Sequence, residues 1–120
     1  MCQVNLLSHL TILVNPEEIH VIVEERCYVL HPTFSPADYL AIYRREGQEL
    51  QTRILGGLLG YFTSEIGELN VIVSLWEYAS FEERQKRRGL LAAEPGWQGY
   101  LAQVRPMIQS MSNRLLNRAI

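Results

Sequence analysis

Two β-forming runs, Leu58–Glu65 and Asn70–Tyr78, are separated only by Ile66-Gly67-Glu68-Leu69. A link this short cannot carry a crossover, so the two runs must pair as an antiparallel hairpin. An earlier run, Val21-Ile-Val-Glu-Glu-Arg-Cys-Tyr-Val-Leu30, is rich in β-branched and aromatic residues and stops at His31-Pro32. Between this strand and the hairpin, Ser35-Pro36-Ala37-Asp38 places serine at an N-cap, proline at the first helical position and an acid at the third. Leu40, Tyr43, Gly47, Leu50 and Ile54 then recur at helical spacing, which predicts one buried stripe ending at Gly56-Gly57.

After the hairpin, Ser80-Phe-Glu-Glu83 reads as a capping box opening a second helix through about Ala93. Pro95 begins a further helical turn with Trp97, Leu101 and Val104 on one side, and Arg105-Pro106 ends it. Residues from about Gln109 to Arg118 give a weaker strand pattern. The order is β-α-β-β-α-β, the ferredoxin-like arrangement of the α+β class, with helices on one face of an antiparallel sheet.

Strand alternation sorts the side chains. Val21, Val23, Glu25, Cys27 and Val29 share one face of the first strand, as Val71, Val73 and Leu75 do in the second hairpin strand. Glu25 interrupts that apolar face without an evident reason. Glu24, Arg26 and Tyr28 lie opposite, matched by Asn70, Ser74, Trp76 and Tyr78. The expectation is that the helices cover the apolar face. The polar-aromatic face, too aromatic for bulk water, is then expected to meet a second copy of the sheet, giving a homodimer with a barrel-like interior.

The chain has 120 residues, enough for one domain with a real core. Its formal net charge of −2 gives no basic field for nucleic acid. Cys2 and Cys27 form no metal or redox motif and read as free thiols in a reducing, cytoplasmic setting, with Cys27 expected to be buried as a small apolar residue. No stretch reaches the roughly 20 apolar residues of a membrane span. Residues 1–18 read as a flexible leader and residues 19–120 as the domain.

Arg26, Tyr28, Asn70, Ser74, Trp76 and Tyr78 converge on this reading, either lining a cavity or forming the dimer face. Arg26 could pair with an acidic ligand group and either tyrosine could donate a hydrogen bond. Tyr, Trp and Arg are equally the residues of protein interfaces. Tyr61 and Glu65 flank the hairpin, where a glutamate is expected to be solvated. Arg84, Lys86, Arg87 and Arg88 follow Glu82 and Glu83, so i,i+4 pairing predicts a solvated helix face. His9, His20 and His31 have no metal-site spacing. No metal or cofactor motif is present, and no nucleophile elbow or phosphate loop.

Gly60–Tyr78 resembles the signature hairpin of the NIPSNAP family. Glu83-Arg84, Arg87-Arg88 and Pro95-Gly-Trp-Gln-Gly-Tyr-Leu101 resemble its following helical segment, Glu24–Tyr28 its first strand and Asn113-Arg114-Leu115 its last. The resemblance runs from about residue 20 to the end. It implies the dimeric α+β barrel fold, whose members include cofactor-free monooxygenases, isomerases and haem-degrading enzymes. Eukaryotic NIPSNAP proteins are linked to mitochondria and vesicle traffic, and the length here resembles a bacterial single-domain member. The family often has histidine at Ser74 and a hydrophobic residue at Glu25, so the best acid–base candidate on the polar face is missing. The expectation is a dimeric binding or interaction module without cofactor. The alternative is a small cofactor-independent enzyme, monooxygenase- or isomerase-like, acting on a hydrophobic or aromatic molecule.

Overall fold

A computed structural model describes residues 21–120. The expected leader over residues 1–18, with Cys2, His9 and His20, lies outside the described residues. Strand β1 spans Ile22–Leu30, β2 Gly57–Thr63, β3 Val71–Tyr78 and β4 Ile108–Asn117. Helices α1 (Pro36–Ile42) and α2 (Gln48–Leu55) are joined by a π-helical turn, Tyr43–Gly47. Helices α3 (Phe81–Ala92) and α4 (Pro95–Val104) follow β3, and a 3₁₀ turn at Arg105–Met107 leads into β4. The sheet runs β2-β3-β1-β4 with every neighbouring pair antiparallel. This is the expected ferredoxin-like α+β fold, helices on one face.

The caps differ in strength. At α1 the Asp38 N–H donates to Ser35 Oγ (3.1 Å) and the Ser35 N–H donates back to Asp38 Oδ2 (2.9 Å), a full capping box. At α3 only half the expected box forms. The Glu83 N–H donates to Ser80 Oγ at 3.0 Å, but the Glu83 carboxylate turns to Arg87 Nε at 2.7 Å.

The buried stripe of α1 and α2 is Tyr39, Tyr43, Gly47, Gln51 and Leu55, not the predicted Leu40, Leu50 and Ile54 around Tyr43 and Gly47. Four residues of an α-helix overshoot a turn by about 40°, so steps of four normally drift around the axis. The wider π-turn takes up that drift and keeps all five on one side. Gly47 is needed at its centre, because a Cβ there would lie 3.1 Å from the Tyr100 ring of α4. Gly56, at φ 88°, stops α2.

The sheet faces are reversed from expectation. Ile22, Leu30, Ile72, Trp76 and Tyr78 are all at most 6% exposed and pack with Tyr39, Tyr43, Leu55, Leu91, Trp97, Tyr100 and Val104 of the helices. The polar-aromatic face therefore lies beneath the helices. It carries the larger apolar side chains, and Glu24, Arg26, Ser74 and Trp76 on it are paired internally, so burying it gains more than burying a face of valines. The face that the described helices leave open carries Val23, Cys27, Val29, Val73 and Leu75, half-buried, with Phe62 and Leu116 more exposed. Cys27 is thus half-buried, not enclosed. Glu25 stands on this face because Arg114, its cross-strand partner on β4, donates to it at 2.5 Å. Among the described residues no helix is long and apolar enough to cross a membrane.

Candidate functional site

Between the sheet and α3 lies a half-buried polar cluster. Glu24 points inward from the central strand and is 0% exposed. Arg84 reaches it from α3 with both ends of its guanidinium, Nε to Oε1 at 3.2 Å and Nη2 to Oε2 at 2.8 Å. Arg26 Nη1 donates to the same Oε2 at 2.8 Å, and Asn113 Nδ2 of β4 does so at 2.7 Å. Burial alone would raise the Glu24 pKa, but hydrogen bonds from Arg84 and Asn113 and the charge of Arg26 outweigh it and hold the carboxyl at about 2. Glu24 is therefore an anion at neutral pH with its oxygens occupied, and cannot serve as a base.

Arg26 also donates from Nε to Tyr28 Oη at 3.2 Å. Arg88, one helical turn beyond Arg84, faces the same layer and acts on Tyr78, as does Arg84. Burial pushes the Tyr78 phenol up and Glu24 adds to this, while Arg88 and Arg84 oppose it. Burial and the neighbouring Arg26 charge draw the Arg88 pKa down. Among the described residues, Tyr78 Oη and Arg88 Nη1 are buried polar atoms without a hydrogen-bond partner. The expectation that Arg84 and Arg88 belong to a solvated helix face is overturned. Only Arg87 keeps the predicted i,i+4 pair, with Glu83, and it also donates to the Ile54 and Leu55 carbonyls at the end of α2 (3.3 and 3.4 Å).

The remaining predicted site residues divide. Trp76 Nε1 donates to Ser74 Oγ at 3.0 Å and both are buried, so this pair satisfies itself. Asn70 is not with the others. It precedes β3 at φ 60°, a left-handed turn residue whose carbonyl accepts the Leu30 N–H at 2.9 Å. Glu65 is exposed as expected, and Tyr61 turns inward.

Beside the charged cluster, an aromatic seam fills the layer. Tyr43 and Tyr61 both donate to Gln51 Oε1 at 2.6 Å, and their ring centroids are 4.5 Å apart. Tyr100 Oη donates to Tyr39 Oη at 3.0 Å, and Trp97 packs on Tyr100 at 4.8 Å. Burial pushes Tyr43 up to about 12, and Tyr39, Tyr61 and Tyr100 are raised by burial too, so these phenols stay neutral donors. Two clefts among the described residues sit outside this seam. One of about 300 Å³ is bordered by Gly57, Tyr78, Glu83 and Arg87, another of about 330 Å³ by Arg105 and Ile108–Met111. No group of three or more His, Cys, Asp or Glu among the described residues could hold a metal ion.

Sequence reasoning passed over Glu24 as a centre, and over Arg84, Arg88 and Asn113 as its surroundings. The available signal was a lone glutamate on the inward parity of β1 and two arginines four apart on a helix.

The family model for NIPSNAP matches residues 23–119. A NipSnap homolog of Dictyostelium discoideum is 40% identical over 58 residues, 48% of this chain and 26% of that one. The chain matches 12% to 26% of the length of such curated relatives. A NIPSNAP family protein of unknown function from Agrobacterium tumefaciens is 39% identical with a TM-score of 0.79, covering 85% of this chain and 91% of its own. SnoaB, a cofactor-independent oxygenase from Streptomyces nogalater, shares the fold alone, at 14% identity and a TM-score of 0.59 over 83% of this chain and 94% of its own. With the family model running through all four strands and the helices between them, the chain belongs to the NIPSNAP family.

Proposed function

We propose that this protein is a small bacterial, cytoplasmic binding module that works as a homodimer, with residues 19–120 as the working unit. The observation that carries the reading is the open sheet face. Val23, Val29, Val73, Leu75 and Phe62 form an apolar centre over which no helix of the described residues lies. Ion pairs border it, Glu25–Arg114 (2.5 Å) and Glu77–Arg118 (3.2 Å). An apolar centre within a charged rim is the anatomy of a subunit interface, and two such sheets stacked face to face would protect both. The dimer surface is therefore the valine face, and Arg26, Tyr28 and Tyr78 are left for ligand binding inside each subunit.

Binding is favoured over catalysis because the layer offers no free base. Its buried carboxylate is held at about 2 with its oxygens occupied, and burial raises the phenols of Tyr39, Tyr43, Tyr61 and Tyr100 and keeps them neutral. The aromatic seam is packed with side chains rather than hollow. Size-exclusion chromatography with light scattering tests the reading. The protein is expected to run at twice the chain mass at micromolar concentration, and Val73→Glu with Leu75→Glu is expected to return it to a monomer. A monomeric wild-type chain under those conditions would sink the proposal.

A further inference from the structure

We infer that Arg88, together with Arg26 and Tyr78, forms a receptor for the phosphate group of a small organic phosphate ester. The inference deepens the binding half of the function proposed above and is independent of the dimer half.

Three guanidinium groups, Arg26, Arg84 and Arg88, surround one carboxylate, Glu24. The cluster is therefore left with two uncompensated positive charges in a half-buried layer. Such an excess is costly to hold out of water unless an anion completes it. Arg84 is occupied by Glu24 through two of its nitrogens, and Arg26 has Nε on Tyr28 and Nη1 on Glu24. Arg88 has no such anchor. Its Nη1 and the Tyr78 hydroxyl are both buried with no partner in hydrogen-bonding geometry, and they lie beside one another, Arg88 opposing the rise of the phenol as a donor to it. Buried polar groups are nearly always satisfied, and even with Arg88 donating to the Tyr78 oxygen the hydroxyl proton still lacks an acceptor, so beside an excess of positive charge the pair marks the place of a missing anion.

A phosphate monoester carries close to two negative charges near pH 7, which matches the excess, whereas a carboxylate neutralises only half of it. The layer is not sealed. The Arg26 and Arg84 side chains each retain 15% exposure. On the helix-side parity of β4, Met111 stands opposite Tyr28 and Leu115 opposite Glu24, exposed by 63% and 37%. Of the two, Leu115 across from Glu24 is the one that can offer an apolar contact to the organic part of the ester, since Met111 lies six β1 positions from the residue that pairs with Tyr78.

Isothermal titration calorimetry with phenyl phosphate, benzoate and benzyl alcohol tests this. Phenyl phosphate is expected to bind roughly tenfold or more tightly than benzoate, as charge-assisted pairing to Arg requires, and benzyl alcohol to give no heat. Arg88→Met is expected to weaken phenyl phosphate at least about tenfold, and Tyr78→Phe, which removes only the hydroxyl, a few-fold. Arg88→Met should also keep or raise the melting temperature in phosphate-free buffer, since it removes an orphaned buried donor. Absence of binding by the wild-type protein at millimolar phenyl phosphate would overturn the inference. Unchanged affinity in both variants, or a preference for benzoate, would do the same. Light scattering on the same samples reports the dimer separately.

Discussion

Arg84 holds Glu24 by both carboxylate oxygens, at 3.2 and 2.8 Å, from a position 60 residues away in the chain. This contact ties α3 to the central strand. Arg84→Ala leaves a fully buried carboxylate short of its bidentate partner, with Arg26 and Asn113 remaining. Breaking a buried pair from one side costs about 3 kcal/mol. Urea denaturation at neutral pH measures it, and a loss below about 1 kcal/mol would mean that Arg26 and Asn113 suffice to hold Glu24.

Acid should loosen the same contact. The folded pKa of Glu24 is about 2, against an ordinary 4.5. A depressed folded pKa stabilises the fold above the ordinary value, and that contribution disappears as pH falls through the folded one. A shift of this size corresponds to about 3 kcal/mol. Stability is therefore expected to fall between pH 4.5 and about 2. Glu24→Gln should flatten that part of the profile, as followed by urea midpoints at successive pH values.

Gln51 accepts two phenols on one oxygen, from Tyr43 and Tyr61, both at 2.6 Å. Either Tyr43→Phe or Tyr61→Phe leaves that acceptor satisfied and should cost about 0.5–1 kcal/mol. The double variant orphans it, so its loss should exceed the sum of the singles by about 1 kcal/mol. A strictly additive pair in thermal denaturation would show that Gln51 finds another donor.

Gly47 lets α4 approach the π-turn. Gly47→Ala would place a methyl 3.1 Å from the Tyr100 ring, and overpacking of this kind costs about 1–3 kcal/mol. Adding Tyr100→Leu should make the alanine nearly harmless, although Tyr100→Leu alone loses the hydrogen bond to Tyr39. Equal effects of Gly47→Ala in both backgrounds would place the strain elsewhere.

The sequence spells out the elements more clearly than their arrangement. The hairpin, the Ser35 cap and the Gly56 stop are local chemistry, and each appears where its residues require. Alternation correctly groups Glu24, Arg26 and Tyr28 with Ser74, Trp76 and Tyr78, because a period of two is a property of the strand itself. It cannot say which face the helices cover when both faces carry apolar residues. That choice depended on Ile22, Leu30 and Ile72, and on whether Glu24 could be paired by Arg84 and Asn113, partners distant in sequence. Tyr39 and Gln51 were missed for another reason. The π-turn shifts the buried stripe by one residue on either side of Gly47, and a pattern search at fixed helical spacing does not anticipate an irregular turn.

The strand order also sets a timetable for synthesis. β1 is the first described strand to leave a ribosome, yet its two neighbours are β3 and β4, the last two strands made. Its inward glutamate lacks Arg84 until α3 has followed β3, and lacks Asn113 until β4 emerges. The nascent chain can form its hairpin and helices as they emerge. The centre of the sheet must wait for β4, so the fold closes only once that strand has emerged, and a ribosome stalled before β4 would hold the first strand with one edge bare.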